Sequence, residues 1–243
     1  MPRPRSLSPT RLAAAALAVI DRSGLPGLTM RAVAQELDMG TMSLYRYVED
    51  REELEGLVVE LVLGAVDTEP PRDAPWDEQV AVLMRRVRDA VAAHPEVVPL
   101  TMTHRHRSPA LLRWTETVLG VLAEAGFDAR RRVIALRSLL GYLIGAIQLE
   151  HLGPLSGAGT QTMADLPRDT FPWLAETARQ AKEISADEEF AEGLAAVLAG
   201  IETEVRHRSG AQGGAAGGGA IGRGKARSED RLTESRGLGV VPQ

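Results

Sequence analysis

Residues 28–54 read LTMRAVAQELDMGTMSLYRYVEDREEL, and that order of signals constrains the fold more than any other part of the chain. Thr29 is a good helix N-cap, because its side-chain oxygen can accept a free first-turn amide. Val33, Ala34 and Leu37 follow at helical spacing and form one apolar stripe. Asp38-Met39-Gly40 breaks the helix, and Gly40 is expected to supply a backbone angle that most residues avoid. Thr41 to Tyr47 reads as a second short helix. Leu44 and Val48 face inward there, while Thr41, Ser43, Tyr45, Arg46 and Tyr47 stay mostly outward. Asp50-Arg51-Glu52-Glu53 has capping-box spacing, so another helix starts at about Arg51. Two short helices, a tight turn and polar aromatic residues on the second helix describe a helix-turn-helix with a tyrosine-bearing recognition helix.

The chain of 243 residues suits one small helical head and one larger body. Apolar residues make up 44 % but aromatics only 4 %, so the core must be built from Ala, Leu and Val, as in packed helices. No cysteine is present, which excludes disulfides and thiolate metal sites and is compatible with a reducing interior. No apolar run is expected to approach the ~20 residues that span a bilayer. The basic N-terminus has no leucine-rich stretch behind it, so no signal peptide is expected. Net charge is −5, which argues against a generally sticky nucleic-acid binder. Distribution matters more. Residues 1–31 carry Arg3, Arg5, Arg11, Arg22 and Arg31 against Asp21 alone, whereas acids gather at Glu52, Glu53, Glu55 and Glu60.

Helical signals continue along the whole chain, and no segment has strand period, so the expected class is all-α. Ser8-Pro9 opens a helix that stops at Gly24, with Leu12, Ala16, Val19 and Ile20 inward. The head with its linking helix spans 8–66. Residues 67–75 (DTEPPRDAP) form a Pro-rich connector. The body spans 76–206. It begins with an amphipathic helix carrying Val80, Leu83, Met84, Val87 and Val91, and residues 152–168 read as a Gly/Ser/Thr-rich loop. Ser185 and Glu188 open a last helix to about Val205. Residues 207–243 are glycine-rich and basic, the composition of a disordered tail.

Leu28-Thr29, Arg31, Ala34, Leu37, Leu44-Tyr45, Tyr47-Val48 and Arg51 with Leu54 together resemble the tetracycline-repressor (TetR) family of bacterial transcription regulators. In the body, Trp76, Arg88, His94-Pro95, the stretch ending Ala125-Gly126-Phe127, Gly141-Tyr142 with Gly145, and Phe171-Pro172 followed by Phe190 and Leu194 resemble the ligand-binding domain of its tetracycline-repressor-like subgroup. The resemblance covers about residues 8 to 205. It implies a cytoplasmic homodimer that binds double-stranded operator DNA and a small-molecule effector, most simply a repressor released from a palindromic site. It also departs from the tetracycline repressor at Thr41-Met42 and Arg46-Tyr47, so no operator sequence can be carried over.

Candidate DNA contacts follow. Thr41, Met42 and Ser43 sit at the end of the recognition helix that reaches bases in such motifs, with Arg46 projecting nearby. The resemblance assigns Arg31 to a base or phosphate, Tyr45 and Tyr47 to the sugar-phosphate backbone or thymine methyls, and Arg51 to a phosphate. Thr29 at the helix start is a further phosphate candidate. For the effector, apolar residues with a few polar anchors are expected, and the candidates are Met84, Met102, His104, Trp114, Tyr142, Gln148 and Trp173. His104-Arg105-His106 is too sparse for a metal centre, although Glu150 lies near the acidic place of the tetracycline sensor. Neither metal nor cofactor is expected. The dimer is expected to use the helices 129–151 and 186–205. Gly141, Gly145, Ala146, Gly193, Ala195, Ala196 and Gly200 would permit close approach, and Leu139, Leu143, Leu194 and Leu198 would supply apolar area. Two other functions are compatible with a helical chain: a helical-bundle enzyme, and an architectural DNA binder with no effector. Against the enzyme stands the lack of paired Glu-x-x-His motifs, a phosphate-binding glycine loop or a nucleophile elbow.

Overall fold

Pro9, Ser8 and Gly24 fix the first helix as their chemistry requires. In the computed structural model, which describes residues 7–213 and their side chains as far as residue 202, α1 (Pro9–Ser23) begins where Ser8 Oγ accepts the Arg11 amide at 3.2 Å. It ends at Gly24, whose φ of 68° is one that side chains resist and whose N–H donates to the Ile20 carbonyl at 2.7 Å. Leu12, Ala16, Val19 and Ile20 are buried as their spacing predicts. α2 (Met30–Glu36), α3 (Thr41–Leu44) and α4 (Arg51–Leu63) complete the head. The body is α5 (Trp76–Ala92), α6 (Val98–Thr103), α7 (Pro109–Glu124), α8 (Ala129–Leu152), α9 (Ala158–Ala164), α10 (Pro172–Ala181) and α11 (Ala186–Gly213). No strand occurs among the described residues.

Five local expectations need correction. The left-handed residue in the α2–α3 turn is Asp38, with φ 52°, while Gly40 is extended at φ −75°. Met39 donates to the Ala34 carbonyl at 2.9 Å and Asp38 to Gln35 at 3.1 Å. This is the Schellman closure, which puts the positive angle one residue past the C-cap Leu37. The second helix of the motif is only Thr41–Leu44. Residues 45–47 continue as tighter turns, with the Tyr47 amide on the Leu44 carbonyl at 2.9 Å. Two tyrosines ahead of a valine are modest helix formers, and three-residue turns are common where a helix ends. The 152–168 loop contains α9, whose Thr160 and Ala164 are buried and which packs against α10. Finally, α8 is long and apolar enough to cross a membrane by length and composition, yet only 22 % of its most apolar stretch is buried within the chain. The last helix runs to Gly213, past the expected end of the body. The remainder of the expected tail lies outside the described residues.

α4 is buried on more than one side. Leu54, Val58, Val59 and Leu63 are enclosed, and the helix packs on α1 and also on α5, α6 and α7. Asp50 caps it by accepting the Glu53 amide at 2.9 Å, and Glu53 returns a carboxylate oxygen to the Glu49 amide at 2.6 Å.

In the body, Arg88 is a buried cation that joins three helices. Its Nη1 donates to Asp187 at 2.7 Å, its Nη2 to Glu150 at 3.1 Å, and its guanidinium lies 4.9 Å from the Phe190 ring centre. Burial opposes the charge, but the hydrogen bond to Asp187 and the charge of Glu150 outweigh it and hold the guanidinium above its ordinary value. Beside it, Tyr142 donates its hydroxyl to the Phe190 carbonyl at 2.7 Å. Burial, reinforced by the charge of Glu189, raises the Tyr142 hydroxyl, so it remains a donor. Gly193 makes this contact possible. A Cβ there would meet the Tyr142 hydroxyl and lie 2.9 Å from ring carbon Cε2. Gly193 therefore packs inside the chain and is removed from the expected dimer surface.

Gly193→Ala is expected to destabilise the fold by roughly 1–3 kcal/mol through overpacking, with part of the loss recovered by adding Tyr142→Phe. Denaturant midpoints of the three variants check this. Additive losses would show that the two residues do not meet.

Candidate DNA-binding face and effector cavity

Leu44 and Val48 are buried and pin α3 and its trailing turn to the head. What remains outside is the candidate DNA face. Met42 is 80 % exposed, and Tyr45, Arg46 and Tyr47 are exposed beside it, with Thr41 and Ser43 half-buried. Arg31 is exposed on α2, which packs against α3. Neither Arg31 nor Arg46 is held by an acid among the described residues. Thr29 is the α2 N-cap, with Oγ1 accepting the Ala32 amide at 3.1 Å, so only its hydroxyl hydrogen is left for a phosphate. Arg51 differs from expectation. Its Nε pairs with Glu55 at 2.7 Å and its Nη2 donates to the Leu25 carbonyl at 3.2 Å, among the exposed acids Glu49, Asp50, Glu52 and Glu53. It ties the start of α4 to the turn after α1 rather than standing free as a phosphate contact.

A cavity of about 250 Å³ lies inside the body. Val87 and Val91 of α5, Val98 and Met102 of α6, Trp114 of α7 and a stripe of α8 (Leu136, Leu140, Leu143, Ile144, Ile147) enclose it. Leu63, at the far end of α4, completes the wall. Trp114 donates its indole N–H to the Leu83 carbonyl at 3.2 Å, so it presents only apolar surface to the space. The polar lining is Thr101, Thr115, Arg105 and Arg137.

Of the seven expected effector residues, Met102 and Trp114 line this cavity. The other five are elsewhere. Met84 is fully enclosed core. His104 is buried against α4, its Nε2 3.3 Å from Glu55. Tyr142 serves the α8–α11 contact. Gln148 is half-buried on α8 but outside the lining. Trp173, at the start of α10, is 78 % exposed. Periodicity alone cannot tell core from cavity wall, which explains Met84. The missed residues had a signal: Arg137 is a charge in the middle of an apolar helix, flanked by the 136, 140, 143, 144, 147 stripe.

Glu150, the acidic candidate for a metal–drug chelate, is engaged by Arg88. Among the described residues no three His, Asp or Glu side chains gather to hold a metal. A wider cleft of about 480 Å³ lies between α4 and residues 104–109. Its carboxylates are partly committed: Glu60 accepts from the Ser108 hydroxyl and from the Ala110 amide (3.1 Å), and Glu52 pairs with Arg107. It is the joint between α4 and the body.

The outer surface of α8 is a second exposed feature. Ile134, Ser138, Gly141, Leu149 and Leu152 are exposed, and a Cβ on Gly141 or Gly145 would meet nothing within 4 Å. Leu139, Leu143, Leu194 and Leu198, expected to supply interface area, are instead buried within the chain.

Residues 69–205 match the family model described as the tetracyclin repressor-like, C-terminal domain. The chain is 29 % identical over 224 residues to the HTH-type transcriptional repressor DrrR1 of Streptomyces coeruleorubidus, covering 86 % of this chain and 82 % of that one. It is 27 % identical over 197 residues to the class A tetracycline repressor from transposon 1721 of Escherichia coli, covering 80 % and 90 %. Among solved structures it is similar to the TetR family protein ActR of Streptomyces coelicolor in complex with (S)-DNPA. That match has a TM-score of 0.68 and 27 % identity, and covers 82 % of this chain and 98 % of ActR. ActR is also solved with actinorhodin, with a TM-score of 0.66. The chain belongs to the tetracycline-repressor-like (TetR) family of ligand-responsive, DNA-binding transcriptional repressors, which are regulators and not enzymes.

Proposed function

We propose that the protein acts in the cytoplasm as a homodimeric repressor that holds a two-fold operator and releases it when a small molecule fills the α4–α8 cavity. The observation that carries this reading is Leu63. One residue of α4 lines the cavity while the other end of α4 is buried against α1. A ligand that changes the packing around Leu63 therefore acts on the helix that carries the head. To release DNA it must bind the DNA-free arrangement more tightly. The coupling is reciprocal, so operator must weaken effector binding by the same factor. This separates the reading from an architectural DNA binder, which would have no such coupling. Solved complexes of ActR with small molecules support the ligand-responsive half of the proposal.

The dimer reading rests on α8. Its exposed positions 134, 138, 141, 149 and 152, with half-buried 145 among them, recur every three or four residues and mix small with apolar side chains, which suits close helix approach in a four-helix bundle. A partner helix, rather than lipid, explains an apolar helix so little buried within its own chain. Two-fold pairing would set the recognition segments about 34–36 Å apart, one turn of DNA.

Two outcomes are expected. A Cβ on exposed Gly141 would meet nothing within 4 Å, so Gly141→Arg should leave the fold intact and shift sedimentation from dimer to monomer. A persistent dimer would remove α8 from the interface. On an operator selected from random DNA, Arg31→Ala and Thr41→Ala should each cost roughly 1–3 kcal/mol of specific binding while hardly changing affinity for unrelated duplex. Arg51→Ala, by contrast, should lower the melting temperature, because its guanidinium is spent inside the head. Equal losses on both DNAs for Arg31→Ala and Thr41→Ala would remove them from base reading. Effector affinity measured with and without operator tests release; identical values would overturn it.

A further inference from the structure

The cavity wall carries two cations and no anion. Arg105, from the turn after α6, and Arg137, from the middle of α8, both line the space of about 250 Å³, and no Asp or Glu is among its described lining residues. Neither guanidinium has a carboxylate partner among the described residues. Among the described residues the one hydrogen bond that either makes is Arg105 Nη1 to the Met102 carbonyl at 2.7 Å. Some other body arginines have carboxylate partners, Arg88 with Glu150 and Asp187, Arg86 with Asp67 and Arg107 with Glu52, whereas Arg85 and Arg113, like the two cavity arginines, have none among the described residues. Both cavity arginines belong to exposed residues, so their charged heads stand at the mouth while their stems share the apolar wall. Other polar groups compete weakly. Thr101 donates its hydroxyl to the Val98 carbonyl at 2.7 Å, and Trp114 spends its N–H on Leu83.

Taking the cavity as the effector site, we infer that the effector is an amphipathic oxyanion: a compact ring-based body in the apolar interior and a carboxylate- or sulfonate-type group between Arg105 and Arg137. Both guanidinium groups are solvated at the mouth, and covering them with a ligand that brings no counter-ion would be costly. A guanidinium fork fits a planar or tripodal oxyanion through paired N–H donors. A neutral ligand of the same shape would leave both charges unmatched. The inference also orients the ligand, anion outward and rings toward Leu63 and Trp114.

The test uses two fluorescent probes that share one aromatic skeleton, 8-anilinonaphthalene-1-sulfonate and its uncharged counterpart N-phenyl-1-naphthylamine, titrated into the full chain. The wild type is expected to prefer the sulfonate by roughly ten- to a hundred-fold, the size of a charge-assisted hydrogen-bond contribution. R105Q/R137Q should abolish the preference while keeping the neutral probe's affinity, and R137K should retain part of it. Cavity occupancy is checked by T115F or L112W, using whichever keeps the wild-type melting profile; filling the space should expel both probes. Equal wild-type affinities, or a preference that survives R105Q/R137Q, would overturn the anion assignment and leave the cavity reading intact. Failure of both probes to bind, or binding unaffected by the filled cavity, would instead remove the cavity as ligand site and the assignment with it.

Discussion

α4 has to satisfy two cores at once. Leu54 and Val58 are buried in a helix that packs on α1, Leu63 lines the cavity, and Glu55 and Glu60 meet His104, Ser108 and the start of α7. Most surface helices bury one stripe and leave the opposite face polar. α4 cannot, and its Glu55 and Glu60 mark places where it touches the body rather than water. Every other arrangement follows: α1 to α3 are a head fitted to one side of this helix, and α5 to α8 a body fitted to the others.

Arg88 does comparable work deeper in the body. A buried guanidinium needs acceptors on several sides, and it finds them on α8 and α11 while stacking on Phe190. Removing one partner from such a cluster is costly because a charge is left enclosed. The cluster fixes α5, α8 and α11 in one register. With that side of α8 committed, a second side lines the cavity and a third is left bare.

Much of this architecture was legible before any coordinates. Ser8, Thr29, Asp50 and Ser185 all read as caps, and each accepts the amide three residues on. Capping is local chemistry, so local sequence reveals it. The inward set of α1 and α5 was equally plain from period alone. The errors arose where tertiary context chooses between equivalents. Asp38 rather than Gly40 took the left-handed angle, because the hydrogen-bond closure of α2 selects a position and not a residue type. Leu139 and Leu143 were assigned to a partner and proved to be core, since an apolar stripe does not say what covers it. Arg51 read as a phosphate ligand, but the Leu25 carbonyl and Glu55 reach it first. Met102 and Trp114, expected at an effector site, line the cavity, and so do Arg105 and Arg137, which were not among the expected residues.

The three tryptophans occupy three different surroundings. Trp173 is in water, Trp76 rests half-buried with its ring 5.2 Å from that of Phe127, and Trp114 is enclosed with its N–H fixed to a backbone carbonyl. An indole held in a dry, immobile setting emits at shorter wavelength than one that solvent can relax around. The blue edge of the intrinsic emission therefore belongs chiefly to Trp114, and the red edge to Trp173. The protein carries its own optical gauge in the cavity wall, readable without a label and separable by colour from the rest of the chain.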